Sequence, residues 1–209
     1  MDNPEITEEI AQYIQKRFGN KRQNILIAVT GNGCSGKTTF CRGLMRFLPD
    51  SGIFFLDGYY TDINERRRKG LTGSHPDSLR AGLLVEDLNR IKRGIDFDKP
   101  VSEVSPEDNI KHYEPAKYNI IDGLPALLVP DTEIYDFVIF IECDDEVQIE
   151  RRIGRDTAQR KRPESEIRPI LNKRNEQFRR FIIPKRSKSD IILHSGRNFR
   201  LSYHPEQTC

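Results

Sequence analysis

A short apolar run, Asn24-Ile25-Leu26-Ile27-Ala28-Val29-Thr30, leads without a break into Gly31-Asn32-Gly33-Cys34-Ser35-Gly36-Lys37-Thr38-Thr39. The run has strand length and is apolar on both faces, as in a parallel sheet covered by helices. The segment after it fits GxxxxGK[ST], and Thr38–Phe47 continues with helical spacing. Glycines let successive backbone N–H groups converge on one anion without a Cβ in the way. A helix starting near Lys37 turns its positive end toward the same point. Strand, turn and helix together predict a phosphate-binding loop, with residues 31–39 around a nucleoside triphosphate. In such a loop Lys37 is expected on the β- and γ-phosphates, and the Thr38 hydroxyl on Mg²⁺.

Four more apolar runs, Ile53–Leu56, Tyr118–Ile121, Phe137–Ile141 and Asp190–Leu193, alternate with helical stretches at Leu79–Arg93, Glu146–Arg155 and Glu166–Phe181. This alternation predicts an α/β fold: a doubly wound, mainly parallel five-stranded sheet flanked by helices. Asn3-Pro4 opens a further helix, with Ile6, Ile10, Tyr13, Ile14 and Phe18 at helical spacing and Gly19-Asn20 as its stop. The chain has 209 residues, which suits one domain over 1–209. The polar stretch of about 95–115 holds three prolines and reads as a long loop or short hairpin on the acceptor side.

Cys34, Cys41, Cys143 and Cys209 form no CxxC pair, so neither a zinc site nor a disulfide framework is expected. No apolar run approaches the roughly 20 residues that span a bilayer, and the acidic start Met1–Glu9 does not read as a signal peptide. A reduced, cytoplasmic protein without a membrane partner follows as the expectation. Net charge is +2, but Arg151–Lys188 carries 14 Lys or Arg against 4 Asp or Glu. Such a block can be a solvated helix surface, a nucleic-acid patch or a cluster of arginines closing over phosphates. Its only aromatics, Phe178 and Phe181, sit at the spacing of a helix core face, so no nucleic-acid partner is expected.

Two acids end apolar runs where strand C-termini line the ligand crevice of such a sheet. Asp57, in Phe55-Leu56-Asp57-Gly58-Tyr59-Tyr60, is placed to accept a hydroxyl proton and to help hold magnesium. Asp122, in Ile121-Asp122-Gly123, suits Mg²⁺ through water. The guanine-reading NKxD of a GTPase is not matched by Asn172-Lys173-Arg174-Asn175, which lacks the aspartate. A positioned base also argues against a nucleotide-binding regulator without turnover.

From Asn24 to Gly196 the chain resembles the uridine kinase and phosphoribulokinase family. The resemblance rests on the phosphate loop, LDGYY, Ser74-His75-Pro76-Asp77, NIIDG, Arg151-Arg152-Ile153-Gly154-Arg155-Asp156 with Arg160-Lys161-Arg162, and Phe181–Pro184 leading to Ser189–Ile192. It implies an ATP- and Mg²⁺-dependent kinase acting on a hydroxyl of a small metabolite, and leaves a homo-oligomer possible. It makes Asp57 the general base, and Lys37, Arg155 and Arg162 catalytic. Arg152 and Arg160 join them in an arginine-rich lid over about 151–168 that covers the triphosphate. Planar guanidinium groups suit that task, because phosphoryl transfer depends on positioning and charge neutralisation.

The acceptor half departs from the uridine kinase pattern. Ser74 stands where those enzymes carry a ribose-binding aspartate, Ser102 and Val104 where they carry aromatic residues, and Glu107 near their histidine. A sugar, polyol or vitamin-like alcohol is therefore the alternative acceptor. Tyr59, Tyr60, His112 and Tyr113 are the residues that could rebuild a nucleoside pocket.

Overall fold

The computed structural model describes residues 4–21, 23–102, 109–160 and 163–204. Each expected apolar run is a strand: β1 (Ile25–Gly31), β2 (Ser51–Phe55), β5 (Tyr118–Asp122), β6 (Phe137–Glu142) and β7 (Ile191–Ser195). Among these five, every neighbouring pair is parallel. The five-stranded expectation needs one correction. A sixth strand, β8 (Leu201–Tyr203), pairs antiparallel with β7, giving the order β2-β5-β1-β6-β7-β8. Three residues are too few to show a period in the sequence. The strand forms because the chain reverses between Gly196 and Arg200, with Phe199 in the left-handed region at φ 62°.

The remaining elements are α1 (Pro4–Phe18), α2 (Lys37–Phe47), α3 (Ile63–Arg68), α4 (Ala81–Lys92), α5 (Asp145–Arg160) and α6 (Glu164–Phe181), with a hairpin of β3 (Phe97–Pro100) and β4 (Ile110–Tyr113). Strand β1 is buried along its whole length. Its Leu26 and Ala28 join a core with Phe54, Leu88 and Phe178, while Ile25, Ile27 and Val29 join Ile14, Phe40 and Leu44 on the opposite face. Helices α1 and α2 thus cover one face of the sheet and α4 and α6 the other, which explains strands apolar on both sides. Each fully buried Leu, Ile or Phe contributes about 1.5–3 kcal/mol.

The stretch expected as loop or hairpin is a hairpin, seated directly on the turn after β2. A Cβ at Gly58 would lie 2.0 Å from the Pro100 carbonyl oxygen, so only glycine admits this approach. Helix α5 runs five residues beyond the expected Arg155, since Asp156 is buried and binds Arg152 one turn back at 3.0 Å. The first ten residues of the expected lid are therefore helical. Among the described residues no helix is long and apolar enough to cross a membrane.

Candidate active site

Strand order brings the phosphate loop and both strand-end acids to one rim. In register, Asp122 lies opposite Val29 of β1 and Phe55 of β2, and Asp57 follows two residues after Phe55 in a 3₁₀ turn, Asp57–Tyr59. Glycine is required at Gly31, where φ is 127° and a Cβ would lie 1.9 Å from the Ile141 carbonyl oxygen. Cys34 and Gly36 continue the loop with φ 64° and 95°. Asn32 N–H donates to Ile141 O, and Ser35 Oγ donates back to Asn32 O at 3.0 Å, which holds the curve. Thr39 lies in the first turn of α2 and is exposed.

Lys37 reaches back over this curve, donating to Gly31 O at 3.2 Å and to Asn32 O. Burial pushes its ammonium below the usual lysine range, with the nearby Asp122 carboxylate opposing the shift. Thr38 donates its hydroxyl to Asp122 Oδ2 at 2.6 Å. Burial raises the Asp122 carboxyl, while this bond and Lys37 favour its charge and the neighbouring Asp57 opposes it. Asp57 itself is exposed. Lysine, hydroxyl and two carboxylates therefore share one corner.

Across the loop stand α5 and α6. A Cβ at Gly33 would lie 3.5 Å from Arg152 Nη1, 3.8 Å from Gln148 Nε2 and 3.9 Å from Arg174 Nη1. These are ordinary contact distances and Gly33 has no positive φ, so the protein's own packing does not demand glycine here. What the glycine leaves open is a space ringed by N–H donors. Gln148 is 3% exposed, and its Oε1 is buried without a partner. A cradle of donors above an empty Cβ position fits a phosphate. The hydroxyl and two carboxylates fit Mg²⁺, which is held by one or two carboxylates together with substrate phosphates and water.

Of the expected lid arginines, Arg152 faces the loop while also bound to Asp156. Arg155 is turned to Asp156 at 3.0 Å. Arg160 ends α5, its side chain beyond description, and Arg162 lies outside the described residues. Sequence reasoning missed Gln148 and Arg174. Gln148 is one turn before Arg152 on the same helix face, a signal that was available. Arg174 sits a whole helix away, and only the packing of α6 against α5 brings it near. Arg151 is a strut: it donates to Cys34 O at 3.2 Å, to Ser195 Oγ at 3.1 Å and to Gly196 O, with its guanidinium 3.7 Å above the Phe199 ring.

Beside the hairpin, buried Lys99 of β3 donates to Phe55 O at 2.7 Å, beneath the Asp57 turn. Burial pushes it down to about 8, against the attraction of Asp87 and Asp57. Arg80 donates to Gly58 O at 2.6 Å, and Arg66 to Thr61 O at 3.0 Å. Three cations thus pin three carbonyls of the segment that carries Asp57. Ser74 is fully buried, its Oγ without a partner.

A mostly parallel sheet whose first strand opens into this loop, with a lysine, a threonine and two strand-end acids at one rim, is the fold of a P-loop kinase. Residues 26–202 match the model of the Phosphoribulokinase / Uridine kinase family, and the chain belongs to that family. It is 31% identical over 189 residues to the uridine kinase of Leuconostoc citreum (strain KM20), covering 82% of this chain and 88% of that one. To the phosphoribulokinase of Synechocystis sp. (strain ATCC 27184 / PCC 6803 / Kazusa) it is 29% identical over 175 residues, 81% of this chain and 53% of the relative. The structure superposes on D-glycerate 3-kinase from Cryptococcus neoformans with a TM-score of 0.70 at 12% identity, covering 98% and 100% of the two chains. The family makes this chain a small-molecule kinase.

Proposed function

We propose that the chain transfers the γ-phosphoryl group of Mg-ATP to a hydroxyl of a small metabolite. The observation that carries this reading is the corner of Lys37, Thr38, Asp122 and Asp57, where phosphate, metal and acceptor groups belong together. Lys37 and the loop N–H groups bind and orient the triphosphate. Thr38, Asp122 and Asp57 would hold Mg²⁺, and the metal would supply charge neutralisation on the phosphates. Asp57 accepts the acceptor's hydroxyl proton at its carboxylate. Arg152 donates to the terminal phosphate, with Arg155, Arg160 and Arg162 completing the lid that excludes water. ADP release under a screen of nucleosides, sugars and polyols tests it; no turnover with any hydroxylated acceptor, with protein folded and ATP bound, overturns it.

A second point concerns the acceptor, for which uridine-like and non-nucleoside readings compete. Tyr59 is fully buried and donates to Asp87 at 2.6 Å, Tyr60 donates to Gly73 O, and Tyr113 stacks edge-on against Phe54 while donating to Asn119. Of the aromatic groups able to rebuild a nucleoside pocket, only His112 is exposed, and it is bound to Asp98 at 2.9 Å. Those commitments favour a non-nucleoside acceptor, a sugar, polyol or vitamin-like alcohol; the Synechocystis relative is likewise named for an acceptor that is not a nucleoside. Uridine and cytidine should then be poor substrates. A kcat/KM above roughly 10⁴ M⁻¹s⁻¹ for either, the lower end of ordinary enzyme efficiency, restores the uridine reading.

A further inference from the structure

One face of helix α6 meets two parts of the molecule that lie far apart in the chain. Arg174 Nη1 is 3.9 Å from the Cβ position of Gly33 in the phosphate loop. Gln177, one turn on, makes three hydrogen bonds to a single short segment. Its Oε1 accepts from Thr72 N–H at 2.9 Å and from the Thr72 hydroxyl at 2.8 Å, and its Nε2 donates to Gly70 O at 3.2 Å. Phe181, a further turn along, meets the His75 ring edge-on with centroids 4.6 Å apart. Positions 174, 177 and 181 follow the three- and four-residue spacing of one helix face.

Gln177 is not needed to seat α6 on the sheet, since the buried residues of that helix are Ile167, Leu171, Asn175 and Phe178. Its bonds all serve residues 70–75, and both lone pairs of its amide oxygen are taken. Thr72 passes the hold along: its Oγ1 accepts from Ser74 N–H at 3.2 Å and its carbonyl from His75 N–H at 3.1 Å. The segment in turn braces the turn that carries Asp57. Tyr60 donates its hydroxyl to Gly73 O at 3.1 Å, and a Cβ at Gly73 would lie 2.9 Å from that hydroxyl oxygen. Thr61 N–H donates to Ser78 O and Arg80 N–H to Tyr59 O, both at 2.9 Å. A chain of contacts thus runs from α6 to residues 59–61, which close the Asp57 turn.

We infer that Gln177 is a positioning residue: it fastens the turn that carries Asp57 to the helix whose Arg174 meets the phosphate loop. The inference rests on the proposed ATP-dependent transfer and adds how base and donor are kept in step. A phosphate in the cradle above Gly33 gives Arg174 an anion to hold, and so restrains α6 where Gln177 grips Thr72. Residues 70–75 and the Asp57 turn are then held as well, because three bonds to one segment carry that segment with the helix. A reacting group misplaced by about 1 Å can lose 10²-fold in rate, so a tie of this kind bears directly on transfer.

Amide hydrogen exchange, followed residue by residue by NMR on the full chain with and without saturating Mg-ATP or Mg-tripolyphosphate, tests this. Tripolyphosphate should act as ATP does, because the contact is with phosphate. In the wild type either ligand should slow exchange at Thr61, Thr72 and Ser74 by about 5- to 150-fold, the usual span of coupling between two sites. Gln177→Met keeps side-chain length and helix propensity without the hydrogen bonds, so the fold stands. It should still bind both ligands and lose the response. Gln177→Glu can accept from the Thr72 N–H and hydroxyl and should restore it. The inference is overturned if the wild type binds tripolyphosphate with no change at these amides, if Gln177→Met responds as the wild type does, or if Gln177→Glu is as silent as Gln177→Met. A wild-type protein that binds neither ligand removes the proposed function itself, and this inference with it.

Discussion

Thr38 and Asp122 are joined by a 2.6 Å hydrogen bond that links the first turn of α2 to the end of β5. Both residues are metal-site candidates, and the bond sets their oxygens side by side before any cation arrives. Asp122→Asn keeps the shape but removes the charge. It should raise the Mg²⁺ concentration for half-maximal rate by about 10- to 100-fold, the usual effect of losing an outer-shell partner, with little change in thermal stability. An unchanged Mg²⁺ dependence would assign Asp122 to holding α2 alone.

Asp57→Asn should keep ATP affinity and lose two to four decades of kcat, about the range for a positioned base. Steady-state kinetics beside ATP titration separate the two quantities. Normal turnover with collapsed binding would make Asp57 a metal or structural residue.

The glycines of the phosphate loop should behave oppositely. Gly31→Ala drives a methyl into the Ile141 carbonyl and should unfold or strongly destabilise the protein. Gly33→Ala meets only ordinary contacts, so its melting temperature should stay near wild type while nucleotide affinity falls. Loss of folding in Gly33→Ala would show that the space serves packing and not a ligand.

Arg174→Ala should lower kcat by about 10²–10³ with a smaller change in the KM for ATP, as when one donor to developing charge is removed. Arg174→Lys restores charge without the planar fork and should recover only part. Wild-type kinetics in Arg174→Ala would confine its role to the α5–α6 contact.

Lys99 carries a pH signature. Its pKa falls from 10.5 to about 8 on folding, so between these values the unfolded chain binds more protons than the folded one. Stability from this group therefore rises as pH climbs from about 8 to 10.5. Against Lys99→Met, in which tyrosine ionisations common to both proteins cancel, the wild type should gain about 2–3 kcal/mol across that window. Denaturant melts at both ends of the range measure it; a flat difference would mean that folding does not desolvate the ammonium.

The parts of this fold visible in the sequence were those governed by local pattern. Continuous apolar runs marked the five parallel strands because each is buried on both faces, and Gly31 through Thr39 marked the loop because its backbone geometry restricts residue choice. Strand β8 escaped notice, since an edge strand of three residues has no period. The extension of α5 to Arg160 depends on the buried Asp156, whose partners only the folded helix defines. Arg174 and Phe199 were hidden for a related reason. One reaches the loop across a helix pair and the other through a turn in left-handed geometry, and neither relationship is written in local spacing.

The contact between Gly58 and the Pro100 carbonyl welds the turn that carries Asp57 to the root of the hairpin, leaving no slack for either to move alone. A change that lifts β3 at Pro100 must therefore be felt at Asp57, even though 43 positions of chain separate the two.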